Sequence, residues 1–273
     1  MNRILLSAAA LAAALPSAGL AQEAARQPDT ARGSNAAAEL STGVDYQEGD
    51  YGTGERIETI SVPATLRVRT GRVTLVASVP WQRIEGPGNA VGGGGLLGLP
   101  IVIDPTRPAT GQVRQGLGDT RVGAAYTIPR ESLGGVTLSL TGQAKLPTAS
   151  ARKGLGTGEA DYTAGAEVST RIGKVEPYAA IGYTVPGDPD GFDLRNSVSA
   201  RAGASLGLSD KVSGNVTYGY ARSLSPLVPD EQQIGTGLNA RLGKGLRLGV
   251  QGSAGLSDGS PDFGAGLSLG IRL

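Results

Sequence analysis

The chain has 273 residues with no cysteine and no histidine, and its 25 basic residues are nearly matched by 24 acidic ones. These facts exclude disulfides, zinc–thiolate sites and histidine-dependent catalysis, and they give no electrostatic case for a nucleic-acid partner. The 44 glycines are more than double the usual share of about 7%, and with so few aromatics the composition is unlike that of an ordinary packed core.

The amino end reads as an export signal: Arg3, the apolar run Ile4 to Leu15, and small residues at Gly19-Leu20-Ala21, with cleavage before Gln22. Arg3 is the only charge in residues 1–21, so the mature chain carries equal numbers of acids and bases. Residues 22–39 are polar and alanine-rich, and are expected to form a flexible periplasmic lead or a plug in a lumen. No later run reaches the ~18 apolar residues of a helical membrane span.

From residue 40 to 273, period two dominates. Apolar rows run through Ile60, Val62, Ala64, Leu66 and Val68; Val73, Leu75, Ala77, Val79 and Trp81; Val136, Leu138 and Leu140; and Val198, Ala200, Ala202, Ala204 and Leu206. The interleaved residues are polar or tiny. The last segment alternates in the same way from Phe263 to Leu273. About twelve such segments are expected, with one greasy face and one wet face each. The links between them alternate in length. Tight ones lie at Thr70-Gly71, Arg130 to Gly134, Gly173-Lys174, Ser209-Asp210 and Gly243 to Gly245. Longer ones lie at Glu48 to Glu55, Glu85 to Leu117, Thr148 to Gly158, Pro186 to Asp193, Leu224 to Asp230 and Ser257 to Asp262. The long links all fall at one end, as in an antiparallel up-and-down transmembrane β-barrel with periplasmic turns and external loops. Tyr46, Trp81, Tyr162, Tyr183, Tyr218, Tyr220 and Phe263 then project outward near the external rim, while Tyr126 stands alone at the other end.

The wet face holds the chemistry. Its expected lumen residues are Arg67, Arg69, Asp119, Arg121, Lys145, Asp161, Glu167, Arg195, Arg201, Arg241, Arg247 and Arg272, spaced by Gly, Ser and Thr. A lipid-facing Arg or Lys would cost about 2–4 kcal/mol at the midplane, so their shared parity marks a solvated face. About twelve strands lined by small residues suggest a narrow pore. Arg67, Arg69, Arg171, Arg241, Arg247 and Arg272 fall toward the periplasmic end. There they would form a positive collar favouring anions, or else pair with Glu167, Glu176 and turn carbonyls to stiffen the wall. Asp161 and Glu167 would pair with lumen arginines rather than catalyse, and no enzyme activity is expected. The run Gly92 to Gly95 lacks the Lys-Ser or Lys-Thr of a phosphate loop. Asp188, Asp190 and Asp193 lack the closing glutamate of an EF-hand. Neither a metal nor a cofactor is expected.

Two local motifs carry a family resemblance. Gly116-Leu117-Gly118-Asp119 leads into the strand ending Ala125-Tyr126, and Lys145-Leu146-Pro147-Thr148 is followed by Gly154-Leu155-Gly156-Thr157-Gly158 and Asp161. With this layout the chain resembles the MetA-pathway phenol-degradation family of outer-membrane transporters. Ala149 stands where that family usually has glycine after Leu-Pro-Thr. The resemblance implies a barrel that passes small, often aromatic or hydrophobic, compounds. The expectation is therefore an outer-membrane channel whose partners are the lipid bilayer and a small solute. The alternatives are a non-conducting barrel for adhesion or surface structure, and a secreted β-sandwich; the sequence leaves the oligomeric state open.

Overall fold

Alternating apolar and polar residues favour extended chain, and here each alternating segment pairs with its neighbours in an antiparallel ladder. The computed structural model describes residues 36–92, 101–104, 106–243 and 245–273. The expected export signal, residues 22–35 of the expected lead, and Gly93 to Gly95 lie outside the described residues.

In chain order the strands are β1 (Ala37–Gly49), β2 (Ile57–Thr70), β3 (Val73–Pro87), β4 (Ala90–Gly92), β5 (Ile101–Ile103), β6 (Gly111–Leu117), β7 (Thr120–Ile128), β8 (Val136–Leu146), β9 (Asp161–Thr170), β10 (Val175–Val185), β11 (Ser197–Gly207), β12 (Val212–Ala221), β13 (Glu231–Leu242), β14 (Leu246–Gly255) and β15 (Phe263–Arg272). β6 and β7 together act as one wall strand, so the described residues form a ring of twelve. β15 closes it on β1, from Glu39 opposite Arg272 to Glu48 opposite Phe263. The hairpin of β4 and β5 stands apart from the wall.

The outward rows are exposed around the ring, including Val44, Leu75, Leu140, Ile181 (68%), Val198, Leu238 and Leu267. A continuous apolar girdle of this kind is incompatible with water and matches the hydrocarbon belt of an outer-membrane barrel. Trp81, Tyr162, Tyr183, Tyr218 and Phe263 are exposed toward the long-loop end, and Tyr126 is exposed at the other. The tyrosine hydroxyls meet polar rim groups: Tyr183 accepts from Asn196 at 2.7 Å, Tyr218 donates to Gln232 at 3.0 Å and Tyr220 to Asp230 at 2.8 Å. That amphipathic placement suits a membrane interface.

Three boundaries differ from expectation. β1 begins at Ala37, so Ala37, Ala38 and Glu39 belong to the wall rather than to the lead; Glu39 is held there by Arg67 and Arg247. The long link narrows to residues 88–110, because β3 runs to Pro87 and β6 starts at Gly111. Between β6 and β7 lies a one-residue offset: Trp81 faces Leu117, but Ser78 faces Arg121. Pro80, which has no N–H, sits at the break and accepts from the Gly118 amide at 2.8 Å. This is a β-bulge, and it turns Asp119 into the barrel.

Some inward glycines are places where side chains lie flat on the wall. A Cβ on Gly203 would collide with the Val216 carbonyl and stand 2.7 Å from the Tyr178 hydroxyl. Gly203→Ala is therefore expected to destabilise the barrel by about 1–3 kcal/mol, whereas Gly142→Ala, facing open space, is expected to be neutral. Urea titration read by the gel mobility of folded and unfolded forms checks both; equal stability of the two variants contradicts the packing described.

Candidate functional site

Inside the barrel, polar side chains on strands two apart meet over a small residue on the strand between them. Asp45 on β1 accepts from Gln251 on β14 at 2.6 Å, above Gly266 of β15. Tyr178 on β10 meets Thr217 on β12 at 2.5 Å, above Gly203 of β11. Glu167 on β9 and Arg201 on β11 approach to 3.8 Å across Ala180 of β10. Glu39 on β1 and Arg247 on β14 pair at 2.9 Å across Gly270 of β15. A bulky residue at the middle position would block each bridge.

At the external rim, the two distinctive motifs converge on one buried ion cluster. Lys145, 2% exposed, lies 2.8 Å from Asp161, 3.6 Å from Asp119 and 3.0 Å from the Thr157 hydroxyl. Asp119 also accepts from the Ala149 amide at 2.9 Å, and Asp161 from the Gly187 amide at 3.1 Å. The bulge at Gly118 aims Asp119, and Gly156 lets the loop press against its carboxylate. Arg121 is buried on the same face, within the field of Asp119 and Asp161. The cluster fastens the 147–160 loop to β7, β8 and β9.

Above it the external loops share an apolar core. Tyr51, Ile57, Ile84, Ala90, Ala149, Leu155 and Val228 form one buried cluster, and Val91, Val102 and Leu224, with Phe192 and Leu194 against them, form a second. The β4–β5 hairpin is tied down by Arg114 on β6, which donates to the carbonyls of Ala90 (2.6 Å), Pro87 (3.1 Å) and Gly88 (3.4 Å). Gln82 donates to the Leu155 carbonyl at 2.5 Å. Arg107 pairs with Asp104 at 2.7 Å and donates to the Ala151 carbonyl. Burial favours the neutral Asp104 carboxyl, but the Thr106 amide and hydroxyl and Arg107 together hold it below the usual range. Tyr51 is the one non-glycine among the described residues with positive φ (52°), and burial, then Glu231 and Asp262, push its phenol upward.

At the short-turn end Glu39 is reached by Arg247 and, at 3.8 Å, by Arg67. Arg272 is the register partner of Glu39, Arg69 pairs with Ala37, and Arg241 faces Arg247 directly. Arg171 lies across the ring on the β9–β10 turn, paired with Glu176 at 2.7 Å. The six collar arginines therefore divide between two sides.

Of the expected lumen residues, Asp119, Arg121, Lys145 and Asp161 come together, Glu167 meets Arg201, and Arg67 and Arg247 reach Glu39, with Arg69, Arg241 and Arg272 at the same end of β2, β13 and β15. Arg195 stands outside the ladder, before β11, donating to the Ser223 carbonyl at 2.9 Å and pairing with Asp230 at 3.2 Å. Sequence reading missed Glu39, although it continues the inward parity of Ser41, Gly43 and Asp45, and it missed Arg114 and Gln82 as loop holders. Among the described residues, no three acidic side chains are placed to hold a metal.

The model of the family described as "Putative MetA-pathway of phenol degradation" matches residues 29–273. An outer membrane channel from Pseudomonas putida F1 is similar in structure, with a TM-score of 0.65 at 15% identity over 90% of this chain and 99% of that one. KdgM porin gives 0.50 at 9% identity, over 86% and 97%. The translocator domain of the autotransporter NalP from Neisseria meningitidis also gives 0.50, at 13% identity over 88% and 89%. At these identities the likenesses establish the barrel fold. Among curated proteins, no sequence matches this chain.

Lys145→Met would leave Asp119 and Asp161 buried without their shared cation, and is expected to cost about 3–5 kcal/mol. Limited trypsin digestion of the folded variant should also cut sooner at Arg152 or Lys153 than in the parent. Unchanged stability and digestion would contradict the role given to the cluster.

Proposed function

The chain belongs to the family described as "Putative MetA-pathway of phenol degradation", and from that membership we propose that it is a channel admitting small, aromatic or hydrophobic molecules passively across the outer membrane. The carrying observation is the uneven filling of the barrel. On β9 to β11, Glu167, Ser199 and Arg201 are buried, while Ser41, Asp45, Thr65, Gln251, Ser253 and Ser268 on β1, β2, β14 and β15 remain partly exposed. A water-accessible track along the latter side supports passage of a narrow solute. The lumen arginines and Asp119, Lys145, Asp161 and Glu167 would then shape and line the bore. No covalent step is assigned to them, and the channel works as a non-enzyme.

A second reading, a non-conducting structural barrel, is favoured by the two buried apolar clusters that the external loops build at the long-loop end. Deleting residues 88–110 and joining Pro87 to Gly111 through a short Gly-Ser link removes the hairpin but leaves the wall pairing of β3 and β6 intact. We expect current through the parent in planar bilayers and a larger current after the deletion. Silence of both, with no solute uptake into liposomes, would favour the structural barrel.

A further inference from the structure

Polar side chains on strands two apart bridge over a small residue at several levels of the bore, and at one level near the external rim they do not. Ser199 of β11 and Glu231 of β13 flank Ala221 of β12 in a single register row. The Ser199 Oγ is buried without a hydrogen bond, and the residue is 2% exposed. Glu231 is 7% exposed, and among the described residues no hydrogen bond or ion pair reaches its carboxylate. Tyr51, from the loop after β1, brings a third group of the same kind. Its ring packs with Ile84, Leu155 and Val228, its hydroxyl is buried without a hydrogen bond, and the charge of Glu231 acts on that hydroxyl. We propose that Ser199, Glu231 and Tyr51 form a binding site for the ammonium group of a small primary amine at the external end of the bore.

Reach explains why the wall leaves this level open. Strands two apart lie about 9.5 Å from one another. Arg201, Arg247 and Gln251 are long enough to cross that distance toward a carboxylate. Serine is not, so a gap stands between Ser199 and Glu231. The turn that sends Tyr51 into the core is fixed from outside: the Asp50 carboxylate accepts from the Gly52 amide at 2.8 Å, Tyr51 has φ 52°, and a Cβ on Gly52 would stand 2.6 Å from the Pro229 ring.

Charge selects the ligand. A buried carboxylate that lacks a cation is costly, and the nearest guanidinium is engaged elsewhere, since Arg195 pairs with Asp230 at 3.2 Å and donates to the Ser223 carbonyl. Asp262 adds further negative charge near the Tyr51 hydroxyl. An ammonium group brings one positive charge and three N–H donors. The Glu231 carboxylate and the two hydroxyl oxygens offer it three acceptors, so both the charge and the unmade hydrogen bonds are answered by one small group.

The site rests on the closed wall and the packing of the loops, not on conduction, so its test is equilibrium binding. Methylammonium chloride is titrated into the purified full-length barrel in detergent and its bound fraction read by ligand-observed NMR. Tetramethylammonium and potassium chloride serve as cations of the same charge without N–H donors. Saturable methylammonium binding is expected, about tenfold or more weaker in Glu231→Gln and about threefold or more weaker in Ser199→Ala and in Tyr51→Phe. Glu231→Gln keeps the volume and removes an uncompensated charge, so it should retain heat-modifiable gel mobility and be at least as stable as the parent in urea without amine. A clear loss of stability there would mean that the carboxylate already serves the fold, and overturns the site. Absence of saturable binding, or an affinity that Glu231→Gln leaves unchanged, overturns it as well. Tetramethylammonium or potassium binding as tightly as methylammonium overturns the assignment to a primary amine.

Discussion

A peptide N–H or C=O facing hydrocarbon has no water to bond, so a chain that crosses a bilayer with strands must pair every one of them within itself. Here that demand is met by closing the ladder, with β15 returning to β1 over ten register pairs. Once the ring is closed, the inner and outer parities are no longer interchangeable. Leucine, valine and isoleucine are driven to the outside, and charged groups remain only where they can be solvated or paired. The tyrosines at the rim, the exposed apolar girdle and the polar interior all follow from this.

The same constraint explains the glycine content. Twelve strands enclose more polar side chains than a dry interior tolerates unpaired, and the pairs that form join strands two apart. Each such pair needs a low intermediate residue: Gly203, Gly266, Gly270 or Ala180. The external end is handled differently. Loops too long to be simple turns bury Tyr51 with Leu155 and Val91 with Leu224 in two apolar clusters, so that end has small apolar cores of its own, anchored through Lys145 and Arg114.

Much of the wall was legible from residues because a period of two leaves a strong mark: the rows through Leu66, Ala77 and Ala200, the grouping of the long links and the rim aromatics could all be read directly. Pairings over long sequence distance could not. Nothing in the spacing of Asp119, Lys145 and Asp161 shows that they meet, and the motifs containing them look like loop signatures until the register is known. Glu39 was hidden by the alanines before it, which resemble a tail more than a strand. The expected collar treated Arg171 like Arg67, because sequence shows which end of a strand a residue occupies but not which side of the ring. The hairpin of Ala90–Gly92 with Ile101–Ile103 is too short to show periodicity at all.

The extra residue at Gly118–Asp119 divides one stave of the barrel into two segments of opposite phase. Were the phase of Thr120–Ile128 continued upward without it, Val113, Gln115 and Leu117 would turn into the bore and Arg114 would turn out toward lipid. The guanidinium that clasps the backbone of the β4–β5 hairpin would then be spent against the membrane, and the hairpin would lose its tether. A single inserted position thus lets the lower half of the stave serve the ion cluster while the upper half holds the hairpin.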